Sequence, residues 1–107
     1  MKSKSRITTN GGRIPFPHPG ATILEDYLKP LGMSVNRLAL DLRVPATRIG
    51  DIVNGRRGIS ADTALRLARY FGTSERFWLN LQARYDLERE KDHLAGELDR
   101  IHPLASA

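Results

Sequence analysis

A chain of 107 residues, 40% hydrophobic and with a formal charge of +5, is long enough for one modest core and not for a second domain. With no cysteine it excludes disulfides and thiolate metal sites, and its three histidines, His18, His93 and His102, lack ligand spacing, so no metal or cofactor is expected. No apolar run approaches the roughly 20 residues that cross a bilayer and no secretory pattern opens the chain, so a soluble, cytoplasmic protein is the expectation.

The charge is unevenly placed. Residues 1–59 hold ten Lys/Arg against four Asp/Glu, whereas residues 60–107 hold seven against eight. A basic half suits a polyanionic partner, although basicity alone would equally suit a membrane or a ribosome.

Residues 1–17 combine basic and small polar residues with two prolines and Gly11-Gly12, which predicts a flexible arm. Such an arm can be without a role, can reach a minor groove through Lys2, Lys4 and Arg6, or can order on a protein partner. Its lack of acids is shared with organelle transit peptides, but it holds no long amphipathic helix. Pro19-Gly20 then opens a first helix, with Ile23, Leu24, Tyr27, Leu28 and Leu31 on one face and Pro30 and Gly32 at its end.

Residues 34–58, SVNRLALDLRVPATRIGDIVNGRRG, read as two short amphipathic helices a tight turn apart. Ser34 caps the first, whose inward face is Val35, Leu38, Ala39 and Leu42; Ala39 is small enough for a second helix to cross closely. Pro45 suits the first position of the next helix and discourages Val44 from staying helical, which puts the turn at Arg43-Val44. Many helix-turn-helix proteins carry glycine there, so a left-handed Arg43 would be mildly strained. In the second helix Ile49, Ile52 and Val53 point inward, leaving Ala46, Thr47, Arg48, Gly50, Asp51 and Asn54 outward.

That outward face has the chemistry of a major-groove reader. Thr47 and Asn54 can donate and accept, Arg48 can grip guanine O6/N7, Ala46 can touch a thymine methyl, and Gly50 permits close approach. Asp51 repels phosphate, so it either accepts from a cytosine amine or orients Arg48 or a nearby arginine. Arg56 and Arg57, after an Asn-Gly turn, join Asn36 and Arg37 as candidate phosphate clamps. The same geometry also occurs in helical pairs that never bind nucleic acid.

Ser60 caps a fourth helix, with Ala64, Leu67, Ala68 and Phe71 inward and Gly72 as its stop; Ser74 caps a fifth. Phe77, Trp78, Leu81 and Tyr85 read as core, with Trp78, Leu79 and Tyr85 also candidates for a dimer interface. From Asp86 onward the chain is highly charged, with a narrow seam of Leu87, Leu94, Leu98 and Ile101. It predicts a helix, weakened at Gly96 and ended by Pro103, that either lies solvated on the domain or meets a second copy or a partner. The expected organisation is a flexible basic arm at 1–17, a helix-turn-helix domain at 18–90 and a C-terminal helical extension or tail at 91–107.

Three strings converge: His18-Pro19-Gly20, the helix-turn-helix, and Phe77-Trp78-Leu79-Asn80-Leu81-Gln82. In this order and spacing, over about residues 18–90, the chain resembles the HigA family of antitoxins, the VapI-like addiction-module antidotes. The resemblance implies an all-α, five-helix domain of Cro/C1-repressor type that forms a homodimer, binds operator DNA and represses its own operon. It further implies an adjacent HigB-like toxin, similar to the RelE-type ribosome-dependent mRNA endonucleases, which the antitoxin neutralises. The matching reading element is Ala46, Thr47, Arg48, Asp51 and Asn54, beside Arg56 and Arg57. Toxin-contact residues are not identified; a basic toxin would favour the acidic cluster Asp86, Glu88, Glu90 and Asp92. The alternatives are a stand-alone transcriptional regulator without a toxin and a protein-interaction module that has given up DNA. No nucleophile, base and acid stand in a recognisable arrangement, so an enzyme is not expected.

Overall fold

The computed structural model describes residues 16–105, so Lys2, Lys4 and Arg6 of the basic arm lie outside the described residues. Among the described residues there are five helices and no strands. The first, α1, is one helical run that is α-helical at Pro19–Thr22, π-helical at Ile23–Leu28 and α-helical again at Lys29–Leu31. The others are α2 (Val35–Leu42), α3 (Ala46–Val53), α4 (Ala61–Phe71) and α5 (Glu75–Asp99).

Pro30 does not end α1. It has no N–H, and in an unbroken α-ladder its ring would press on the carbonyl four residues back. The widened turn before it shifts the ladder, so that Lys29 N–H reaches Leu24 O, and the helix continues to a left-handed Gly32. Leu31 departs from the expected apolar face: it lies past the widened turn and is 60% exposed.

The capping serines behave as their chemistry dictates. Ser34, Ser60 and Ser74 Oγ accept from the N–H groups of Arg37, Thr63 and Phe77. Pro45 is the N-cap of α3 rather than its first residue, since its ψ of 145° is still extended. The turn falls at Arg43, which is left-handed (φ 63°) despite carrying a side chain. Arg66 of α4 compensates: its Nη1 donates to Leu42 O at 2.9 Å and Arg43 O at 3.5 Å, holding the carbonyls that this turn leaves open.

Ile23, Leu28, Leu38, Leu42, Ile49, Ile52, Leu67 and Trp78 form the centre of one core. Ala39, 1% exposed, is buried with Leu38 and Leu42 on the inward face of α2. Trp78 is fully buried, ringed by Tyr27, Phe71 and Phe77, and its Nε1–H donates to Thr73 Oγ1 at 2.6 Å. Of the three dimer-interface candidates Trp78 is thus buried within its own protomer, whereas Leu79 and Tyr85 are half-buried. The helix α5 does not stop near Asp86. It runs through residue 90 and Gly96 without a break, and its residues from Arg89 onward are exposed rather than laid on the domain. Leu87, Leu94, Leu98 and Ile101 are accordingly uncovered.

Candidate nucleic-acid interface

The helix α3 is held by the two elements that the His18-Pro19-Gly20 string and α4 supply. His18 caps α1: Gly20 N–H donates to His18 Nδ1 at 2.9 Å, which puts the imidazole proton on Nε2. Pro19 takes the first helical position, where no N–H is needed, and Gly20 lets α1 pack on the backbone of α3 at Ile52 and Val53. The reading helix is thus seated backbone against backbone.

Of the predicted contact residues, Asn36, Arg37, Ala46, Thr47, Asn54, Arg56 and Arg57 are exposed. Several are already engaged. Arg37 Nε pairs with Asp41 Oδ2 at 3.0 Å, one turn on, and Asp41 also accepts from Tyr70 OH at 2.6 Å. Those hydrogen bonds, Tyr70 first and Arg37 second, hold the Asp41 carboxyl below its usual range. Asn54 Nδ2 donates to Gly50 O at 2.9 Å and closes the end of the helix, before Gly55 turns left-handed (φ 77°). Asp51 faces Arg56, with Oδ1 to Nη2 at 3.1 Å, the contact that an arginine-orienting role would use.

Arg48 is the departure. It does not stand free on the outward face: its Nη1 lies 2.7 Å from Asp62 Oδ1 and 3.5 Å from Thr63 Oγ1, on the first turn of α4. Asp62 is shared with Arg66 Nε at 2.7 Å. Arg66 first, then Arg48, keep Asp62 below the usual carboxylate range. One carboxylate therefore ties the reading helix, α4 and the Arg43 turn together. A guanidinium fixed on one edge by a carboxylate is oriented for planar recognition on the other.

Asp62 and Arg66 escape notice in the sequence, and His18 and Gln82, though each belongs to one of the three strings, are given no role there. Gln82 Oε1 accepts from Ile59 N–H at 2.7 Å, pinning the loop that carries Arg56 and Arg57 to α5, and its Nε2 donates to Asp86. Asp62, Gln82 and Arg66 stand 14 to 24 residues from Arg48, Ile59 and Leu42, which they hold. The one local sign was His18 directly before Pro-Gly, a cap position for a side chain that can accept.

The cap carries a pH dependence. Burial pushes the His18 pKa below its usual value and Arg89 adds to this, while Asp86 opposes; both charged groups come from α5. A folded pKa below the unfolded one means that the folded chain binds fewer protons, so stability rises with pH. The contribution is complete above about pH 6.5 and is lost as pH falls through the folded value. Urea unfolding at pH 7.5 and 5.5 should show this loss, and His18→Asn, which still caps, should flatten it; an unchanged pH response in that variant would remove His18 as the cause.

With this geometry in place, the likeness to known proteins is informative. The helix-turn-helix family HTH_3 matches residues 24–78. Virulence-associated protein I of Dichelobacter nodosus is 50% identical over 82 residues, 77% of this chain and 76% of that protein. The HTH-type transcriptional regulator YbaQ of Escherichia coli K12 is 38% identical over 89 residues, 81% of this chain and 79% of its own. Among solved structures, the Pseudomonas aeruginosa antitoxin HigA with the higBA promoter superposes with a TM-score of 0.81 at 41% identity, covering 84% of this chain and 99% of that one.

Proposed function

The chain belongs to the helix-turn-helix family HTH_3, among the HigA-like proteins of Cro/C1 type, and from that premise we propose that it is an antitoxin that represses its own operon by binding operator DNA and neutralises a HigB-like mRNA endonuclease toxin. The observation that carries the DNA half is the seating of α3. Its backbone is locked to α1 at Gly20, its Arg48 is locked to α4 at Asp62, and Ala46, Thr47 and Asn54 are left exposed between the arginines. The likeness to an antitoxin solved with its promoter supports the same reading. Acting as a homodimer would place two such helices roughly 34–36 Å apart on a palindromic site.

Mobility shift against the chain's own upstream region tests the DNA claim, and no binding at low salt ends it. Co-expression with the adjacent open reading frame tests the antitoxin claim: growth arrest by that frame alone, relieved by this chain, supports it. A neighbour that is not toxic leaves the second reading, a stand-alone regulator.

Within this reading, Arg48→Ala should weaken the specific operator by about 1–3 kcal/mol, roughly 5- to 150-fold, and relax preference at one base position. Folding stability should fall by no more than about 1 kcal/mol, because the pair with Asp62 is partly exposed. Fluorescence anisotropy on operator and random duplexes separates the outcomes, and equal losses on both would deny Arg48 a base-reading role.

A further inference from the structure

A polar cleft of about 200 Å³ opens between the loop that follows the reading helix and the side of α5. Arg56 and Arg57 line it from the loop, Tyr85, Asp86 and Arg89 from α5, and His18 from the start of α1. The Arg89 guanidinium sits 5.5 Å from the centre of the Tyr85 ring, and Tyr85 meets the His18 ring edge-on at 4.9 Å. This contact sets the Arg89 guanidinium beside the cleft. Asp86 is the one carboxylate in the lining and is already hydrogen-bonded by Gln82. Arg56 is shared with Asp51, but among the described residues neither Arg57 nor Arg89 has an ion-pair partner.

Two uncommitted guanidinium groups in a small polar cleft constitute an anion site. We infer that the cleft takes one backbone phosphate of the bound duplex, held by Arg57 from the loop and by Arg89 from the long helix. The inference rests on the DNA-binding reading, under which a helix lying in the major groove brings the loop at its end over the bordering strand. It makes α5 part of the DNA interface, a role that none of its residues had from the sequence.

The test is duplex binding by the full chain, followed by anisotropy across a range of salt, with operator and random duplexes. Arg89→Ala and Arg57→Ala should each reduce the steepness of log K against log salt and weaken both duplexes alike, and the double variant should lose about 0.9 of slope in all, the share of one phosphate. Lys91→Ala removes the same charge from the same helix outside the cleft and should leave the slope close to that of the unaltered chain. Arg89 is exposed, so helical circular dichroism should not change. If the unaltered chain binds neither duplex, the DNA reading falls and this site falls with it. If it binds and Arg89→Ala leaves affinity and slope unchanged, or Lys91→Ala lowers the slope equally, the site alone is overturned. A melting temperature raised by inorganic phosphate and lost in Arg89→Ala, with duplex binding intact, would give the cleft to free phosphate and overturn the duplex assignment.

Discussion

Gly20→Ala should destabilise the chain by about 3 kcal/mol or more and lower its melting temperature by roughly 12–24 °C. A β-carbon at Gly20 would overlap the carbonyl oxygen of Ile52 and stand 2.7 Å from its carbon and 3.0 Å from Val53 Cα. These are backbone atoms of α3, so no rotamer change relieves the clash; α1 must lift off the reading helix and take the His18 cap with it. Duplex binding should fall with stability. The same substitution at Gly50 should do the reverse, because a β-carbon there meets nothing within 4 Å. Alanine favours a helix by about 0.8–1 kcal/mol over glycine, so Gly50→Ala should stabilise the free chain while placing a methyl group on the DNA-facing side. Chemical denaturation and anisotropy of both variants check this, and a Gly20→Ala chain as stable as the parent would show that α1 and α3 are not in backbone contact.

This contrast marks what the sequence could carry. Capping serines, glycine stops and apolar stripes act over three or four residues, and those features emerged as the residues predicted: Ser34, Ser60, Ser74, Gly72, and the faces of α2, α3 and α4. The Arg43 turn was legible too, strain included, because Pro45 restricts what precedes it. What the chain does with Arg48 was not legible. Periodicity places it outward on α3, but its guanidinium is long enough to reach Asp62, and nothing near residue 48 announces a carboxylate fourteen residues on. Pro30 misled in the opposite way: proline breaks an α-ladder, but here a widened turn at Ile23–Leu28, both ends of it buried in the core, precedes it and the helix goes on. The extent of α5 was blurred for a third reason. A highly charged segment helical by its own i, i+3 and i, i+4 pairs, such as Lys91 with Glu88, carries no signal of whether it lies on a surface or leaves it.

Trp78→Ala should cost about 3–5 kcal/mol, a large share of the 5–15 kcal/mol that holds a domain of this size. The indole is fully buried among Tyr27, Phe71 and Phe77, and removing it empties the region where α4, α5 and α1 meet and leaves Thr73 Oγ1 without its donor. Trp78→Phe should cost less, since a ring remains. Because Trp78 is the only tryptophan, the unaltered protein reports its own burial. Its emission should stay blue-shifted on dilution through any dimer dissociation, because the residue is sealed within one protomer. A tryptophan at a dimer interface would behave otherwise: emission would move to the red as copies separate, and Trp78→Ala would weaken association while leaving the isolated protomer as stable as before. A red shift on dilution would therefore return Trp78 to the interface. A constant emission, with the loss read in urea unfolding, leaves dimer formation to surfaces other than the indole.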